Sequence, residues 1–118
     1  MSKSRASRLN NKKGDQLCLK IIASLPETVY ISLDVDGLDP SLCPGTGTPV
    51  PGGLSFQQLC YLLWVLVESG RRIIGFDLVE VAPGRDPDWN GNVGARLCWV
   101  LSGYALRSYH LNTPPDIQ

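Results

Sequence analysis

The chain has 118 residues, which is enough for one small domain, and its 43% hydrophobic content is ordinary for a protein that buries a core. The 11 basic and 11 acidic side chains cancel, so overall charge gives no reason to expect a nucleic acid or an anionic membrane surface as a partner. The longest apolar run, LCYLLWVLV at 59–67, is far shorter than the roughly 20 residues of a membrane-spanning helix.

The first segment of the chain, MSKSRASRLNNKK, is basic and nearly free of large apolar residues. This composition predicts a disordered tail over residues 1–14, with an electrostatic contact as the alternative. No apolar stretch follows the positive charges, so the segment does not resemble a secretory signal. We therefore expect a cytoplasmic protein, although the acid-poor composition with Arg and Ser leaves organelle targeting open.

A helix and then a strand are predicted after this tail. The segment DQLCLKIIASL at 15–25 carries a rough apolar helical face, which Pro26 ends. The segment TVYISL at 28–33 is rich in β-branched and aromatic residues and apolar at nearly every position. This pattern predicts a strand that is covered on both faces in a parallel sheet.

A long loop and a second helix follow. Residues 37–53 are dense in Gly, Pro, Ser and Thr, which predicts a loop of the kind that often carries function. Ser55 and Gln58 then form a capping-box pattern ahead of an apolar run that Gly70 closes. The run is apolar almost all round, so we expect this helix to pack against a sheet and other helices.

The last third of the chain predicts one more strand and one more helix. The segment IIGFDLVEV at 73–81 repeats the design of the first strand, and NVGARLCWVLSGY at 92–104 predicts a helix capped by Asn90 or Asn92. The alternation of helices and strands indicates an α/β fold on a parallel sheet. Two strands leave open edges, so the fold is expected to be incomplete as a stand-alone domain.

Two aspartates end the first predicted strand. Side chains alternate along a strand, which would put Asp34 and Asp36 on the same side, roughly 6.5 to 7 Å apart along the backbone. The carboxyl ends of strands are where α/β sheets bind ligands, and two such acids can share a pair of metal ions that activates water for hydrolysis. Oxygen ligands favour Mn²⁺ or Mg²⁺. The alternative is that both aspartates cap turns in the following loop.

Three further acids have other predicted roles. Asp39 precedes Pro40 and is predicted to form a turn. Asp77 lies in the middle of the second strand and is predicted to be a buried acceptor of hydrogen bonds from loop amides. Glu80 ends that strand, where a carboxylate can receive a guanidinium through two parallel hydrogen bonds. The alternative for Glu80 is an ion pair with one of the arginines at positions 72, 85 and 96.

The segment SLDVDGLDPSLCPGTGTPVPGGLS at 32–55, followed by GFDLVEVAP at 75–83, resembles the C-terminal portion of the ureohydrolases, the arginase and agmatinase family. The PGTGTP motif with its following Pro-Gly-Gly is closer to agmatinase-like members than to arginase proper. The resemblance covers roughly Gln16 to Tyr104. It indicates that residues 15–108 form the C-terminal portion of the family domain and that residues 109–118 form a tail.

The resemblance implies a three-layer α/β/α fold around a parallel sheet, a binuclear manganese centre and hydrolysis of a small guanidino substrate to urea and an amine. Asp34 and Asp36 match the last two metal-binding aspartates of the family. Glu80 matches the glutamate that receives the substrate guanidinium. Thr48 matches a threonine that supports this substrate-binding glutamate by hydrogen bonding.

The sequence also departs from the family pattern. Family members supply their other metal ligands from a Gly-Gly-Asp-His segment and an Asp-Ala-His segment, and neither is in this sequence. The sole histidine, His110, lies in the predicted tail, where we expect it at the surface. Because the histidine-containing metal segments are missing, and no candidate for proton transfer to the leaving amine is in reach, we expect the isolated chain to be inactive.

Two hypotheses follow from this departure. In the first, the chain is the C-terminal portion of a ureohydrolase that forms its site with the missing N-terminal part, which is either supplied as another chain or lost through truncation of the gene. The partners to consider are an N-terminal-half chain and, from the family resemblance, a homo-oligomer. In the second, the chain is a non-catalytic fragment or an interaction module that docks through an open sheet edge.

Overall fold

The order of elements agrees with the predicted alternation of helices and strands. A computed structural model describes residues 12–46 and 52–117. In chain order these residues form helix α1 (Lys12–Ala23), strand β1 (Thr28–Asp34), a short 3₁₀ helix (Val35–Gly37), helix α2 (Phe56–Glu68), strand β2 (Arg72–Val79) and helix α3 (Pro87–Asn112).

The two strands form a parallel sheet. Their register runs from Thr28 beside Arg72 to Asp34 beside Val79, with one irregularity after Val29. Because parallel strands point the same way, the turns that follow β1 and β2 emerge at the same edge of the sheet. Asp34, Asp36 and Glu80 lie at this carboxyl end of the strands.

The sheet is covered on one face by the helices. Val29, Ile31 and Leu33 from β1 pack into the core with Phe76 and Leu78 from β2. On the opposite face Tyr30 is 58% exposed. The prediction that β1 is covered on both faces is therefore wrong for the described residues, because apolar side chains that are buried or half-buried alternate with exposed ones. The α/β class is confirmed, and the described residues supply two of the three expected layers.

The core consists of two adjoining apolar clusters. Leu97 and Leu101 of α3 pack with Leu59 and Leu63 of α2 in the first cluster, which also includes Leu38 from the loop after β1. The second cluster joins α1 to the rest of the fold. Its buried members are Ile22, Val29, Val65, Leu66, Val67 and Ile73. Burial of these side chains from several elements holds the helices against the sheet.

Helix α2 has the ends that the sequence predicts. The Ser55 hydroxyl accepts a hydrogen bond from the Gln58 amide at 3.1 Å, and the Gln58 side chain accepts one from the Ser55 amide at 2.9 Å. After the last turn Gly70 adopts a φ of 96°, a conformation that glycine reaches without a steric penalty. The capping box and the glycine stop are both confirmed.

Helix α3 is much longer than predicted. It begins at Pro87 instead of Asn92 and ends at Asn112 instead of Tyr104. Its N-cap is Asp86, whose carboxylate accepts a hydrogen bond from the Trp89 amide at 3.1 Å, so neither asparagine is the cap. The glycines of this segment weaken its local helical pattern, and packing against the sheet and α2 stabilises the long helix instead.

The two predicted tails lie partly within helices. Helix α1 begins at Lys12 and not at Asp15, and residues 1–11 of the predicted basic tail lie outside the described residues. At the other end, the predicted boundary at 109 falls inside α3, so His110 lies in its last turn, with an exposed side chain. None of the helices that the structure describes combines the length and apolar character needed to cross a membrane.

Candidate metal and substrate site

The site lies where the turns after β1 and β2 leave the sheet. The chain enters a 3₁₀ helix directly after Asp34. Further on, Leu54 returns beside this helix: its amide donates to the Gly37 carbonyl at 2.9 Å, and its carbonyl accepts from the Asp39 amide at 2.9 Å. These two backbone bonds hold the start and the end of the long loop together beside the carboxyl end of β1.

Asp34 is the last residue of β1 and the N-cap of the 3₁₀ helix. One of its carboxylate oxygens, Oδ1, accepts a hydrogen bond from the Asp36 amide at 2.8 Å. The side chain therefore does cap a turn, which was the predicted alternative to metal binding. The Asp34 side chain is exposed, and its other oxygen, Oδ2, accepts no hydrogen bond from the described residues.

Asp36 lies in the 3₁₀ helix and not in the strand, so the predicted strand alternation does not relate it to Asp34. The reason is that Val35 turns into the core, where it is buried, and the backbone leaves the extended conformation. The half-buried carboxylate of Asp36 accepts a hydrogen bond from the Thr46 hydroxyl. The two aspartates are thus brought together by one tight turn instead of by the pleat of a strand.

Asp39 has the predicted role of a turn-forming residue. Its Oδ1 accepts hydrogen bonds from the Ser41 hydroxyl at 2.6 Å and from the Ser41 amide at 2.9 Å. These two bonds stabilise the charged carboxylate and hold the pKa of Asp39 below its ordinary value. Local turn chemistry therefore accounts for this acid.

Asp77 is a hydrogen-bond acceptor, as predicted, but its donors are not loop amides. Its two oxygens accept from the Tyr30 hydroxyl at 3.0 Å and from the Ser32 hydroxyl at 2.8 Å. The sheet register puts Ser32 beside Asp77, so the donors come from the neighbouring strand. The bond to Asp77 raises the pKa of Tyr30.

Glu80 follows β2 directly and has a backbone φ of 68°. Among the described residues it is the one non-glycine residue with a positive φ. The left-handed region costs a residue with a Cβ about 1–2 kcal/mol, and such strain clusters at functional sites. The exposed carboxylate of Glu80 forms no ion pair with Arg72, Arg85 or Arg96, so the predicted alternative is wrong.

Two of the described acids carry donor atoms of the kind that a metal site requires. Asp34 and Asp36 present the oxygen donors that hard divalent cations prefer. Within residues 12–46 and 52–117, however, no group of three or more His, Cys, Asp or Glu side chains could hold a metal ion. The two aspartates therefore fit a site for a divalent metal only as part of a larger ligand set. Thr48, which is predicted to support Glu80 by hydrogen bonding, lies outside the described residues.

Asn90 and Thr46 were not predicted to contribute to this site. Asn90 is 1% exposed and joins the loop after β1 to the loop after β2, through bonds to Gly45 and Pro83. These contacts link positions far apart in the chain, so no local sequence pattern indicates them. Thr46 lies in a Gly- and Pro-rich segment whose path depends on the same contacts.

Comparison with known proteins identifies the family. Residues 4–103 match the Arginase family. The N(1)-aminopropylagmatine ureohydrolase of Thermus thermophilus is 48% identical over 64 residues, covering 54% of this chain and 22% of that protein. The agmatinase of Pyrococcus horikoshii is 39% identical over 87 residues, covering 74% of this chain and 30% of that protein. The structure of proclavaminate amidino hydrolase from Streptomyces clavuligerus has a TM-score of 0.69 and 30% identity, covering 80% of this chain and 32% of that one.

The chain thus spans 22% to 32% of the length of these three proteins. This partial coverage fits the prediction that the sequence represents a portion of the family fold. The agmatinase-like resemblance is confirmed by relatives with ureohydrolase and agmatinase names. Since the family match takes in both strands and most of the three helices, the chain belongs to the arginase family.

Proposed function

We propose that this chain carries part of the active site of a metal-dependent ureohydrolase of the agmatinase type. The proposed reaction is hydrolysis of the C–N bond of a small guanidino compound to urea and an amine. The observation that best supports the proposal is the arrangement of the acids at one edge of the sheet. Asp34 is paired with Val79 in the register, so Glu80 follows immediately beside the turn that contains Asp36.

Each acid has a distinct proposed role. Asp34 and Asp36 would contribute carboxylate oxygens to a manganese pair, with Thr46 holding the Asp36 carboxylate in place. The ions would supply the activation of water that hydrolysis requires. Glu80 would receive the substrate guanidinium through two parallel hydrogen bonds, which neutralise its charge and fix its plane. Thr48 would support Glu80 by hydrogen bonding.

The site would be completed by a second chain. Two carboxylates cannot fill the coordination shells of two ions, and a further copy of this chain would bring only His110 as an imidazole ligand. A chain that carries the N-terminal portion of the family fold is therefore the favoured partner. The exposed sheet face around Tyr30 and the outer edges of β1 and β2 offer it a docking surface.

Co-expression tests this function. The chain is produced together with the N-terminal portion of an agmatinase relative, and urea release from agmatine and other guanidino compounds is measured with and without Mn²⁺. We expect manganese-dependent urea release that is lost in Asp36→Asn and Glu80→Gln and retained in the matched control Asp39→Asn. Absence of urea from a soluble complex of the two chains would contradict the proposal.

The second candidate function is that of a non-catalytic interaction module. It is favoured by the incomplete ligand set of the described residues together with the open sheet edges. It predicts that the chain binds an intact relative without binding manganese. Calorimetry on the isolated chain decides against this alternative if it detects Mn²⁺ binding at micromolar affinity.

A further inference from the structure

A buried amide connects the two loops that bear the candidate acids. The side chain of Asn90, in the first turns of α3, is almost fully enclosed. Its Oδ1 accepts a hydrogen bond from the Gly45 amide at 3.1 Å, and its Nδ2 donates to the Pro83 carbonyl at 2.8 Å. Both polar atoms therefore hold backbone groups, one in each loop, in a place where water does not compete.

The two loops also contact each other directly beside Asn90. The Ala82 amide donates to the Gly45 carbonyl at 2.6 Å. A Cβ at position 45 would collide with the Asn90 side chain and with the Ala82 carbonyl, so glycine is what permits this close approach. Gly45 is thus held from both sides, by the side chain of Asn90 and by the backbone of Ala82.

These contacts lie close in the chain to both candidate acids or to their hydrogen-bond partners. On one side, Thr46 follows Gly45 and donates its hydroxyl to Asp36. On the other side, Glu80 lies two residues before Ala82 and three before Pro83. A shift of either loop would change the separation between the Asp36 carboxylate and the Glu80 carboxylate.

We propose that Asn90 is a positioning residue that sets the separation between the metal-binding acids and the guanidinium-binding acid. It would act through Gly45 and Thr46 on Asp36, and through Pro83 on Glu80, without touching metal or substrate. This inference rests on the proposed function for its catalytic meaning. The joining of the two loops by Asn90 can be tested independently of that function.

The test compares Asn90→Leu and Asn90→Asp with the matched control Asn92→Leu, an exposed asparagine on the same helix. Amide hydrogen exchange is measured by NMR on the full chain. In Asn90→Leu we expect the Gly45 and Ala82 amides to exchange about tenfold faster, the scale of one lost hydrogen bond, with Ile73 in the core strand unchanged. Asn90→Asp keeps the acceptor for Gly45, so only the Ala82 amide should accelerate.

The outcomes separate positioning from general stabilisation. Unchanged exchange at Ala82 in both Asn90 variants would overturn the inference, and so would equal acceleration at Ala82 and Ile73. If Asn90→Leu does not fold, the exchange of the Ala82 amide is compared with that of Ile73 in Asn90→Asp and in Gly45→Ala instead.

The catalytic meaning is tested in the complex with the N-terminal portion. There Asn90→Asp should raise KM about tenfold with an unchanged manganese content, because the loop that bears Glu80 loses its bond to Asn90. A loss of activity in proportion to lost manganese would contradict positioning of Glu80. If the wild-type complex releases no urea, the proposed function fails, while the exchange experiment still decides whether Asn90 joins the loops.

Discussion

Glu80 shows how a single residue can indicate function through its backbone. Its φ of 68° places a side chain in the left-handed region, which costs a residue with a Cβ about 1–2 kcal/mol. Its carboxylate finds no compensating ion pair among the described residues. A strained residue with an unpaired charge is poorly explained by stability, and it lies where the proposed substrate would bind.

Glycine at position 80 should therefore stabilise the protein. Glycine removes the left-handed penalty but adds about 0.5–1 kcal/mol of chain entropy cost, so we expect Glu80→Gly to raise the free energy of unfolding by about 0.5–1 kcal/mol. Glu80→Gln removes the charge but keeps the strain and should leave stability unchanged. Urea denaturation of the three proteins measures the difference. A Glu80→Gly variant that is less stable than Glu80→Gln by about 0.5–1 kcal/mol, the entropy cost of glycine alone, would show that the conformation carries no strain.

At the scale of elements, a side-chain hydrogen bond connects the first helix to the second. The Tyr61 hydroxyl of α2 donates to the Asp15 carboxylate of α1 at 2.7 Å. This bond to a charged acceptor, with added burial, raises the pKa of Tyr61 to about 12 from an ordinary value of 10.0. Beside it, Ile22 anchors α1 in the second apolar cluster.

The alkaline titration of Tyr61 tests this contact. Since the folded state holds the phenol proton more tightly than the unfolded chain, the bond's stabilisation is complete below about pH 10 and declines as the pH rises toward about 12. Because the pKa of Tyr30 is raised as well, absorbance at the phenolate band is followed in a Tyr30→Phe background, where the late titration of Tyr61 should remain. Asp15→Asn should lower its pKa toward the ordinary value, and the exposed control Asp88→Asn should not. A late titration that survives in Asp15→Asn would refute the contact.

Local sequence patterns predict which helices and strands form better than they predict how long each one is or which of its faces is buried. The Ser55 cap and the Asp39 turn are correctly predicted because their partners, Gln58 and Ser41, lie within three residues. The length of α3 is missed because packing against distant elements stabilises it despite its internal glycines. Asn90 is mistaken for a possible cap because its true partners, Gly45 and Pro83, are brought near only by the folded chain.

At the scale of the whole molecule, the chain resembles one portion of a larger fold. The structural match to proclavaminate amidino hydrolase takes in 80% of this chain but only 32% of that one. The described sheet has two strands and one exposed face, which is marginal for independent stability. The same open face and edges are the surfaces through which we propose that a second chain completes the site.

The metal content of the complex with the N-terminal portion tests the central proposal most directly. Manganese is measured per complex after dialysis, for the wild type and for Asp34→Asn, Asp36→Asn and the turn-forming control Asp39→Asn. We expect a bound manganese pair in the wild type and in Asp39→Asn, and loss of manganese in the other two variants. Full manganese occupancy in both Asp34→Asn and Asp36→Asn would contradict the proposal that these carboxylates hold the metal.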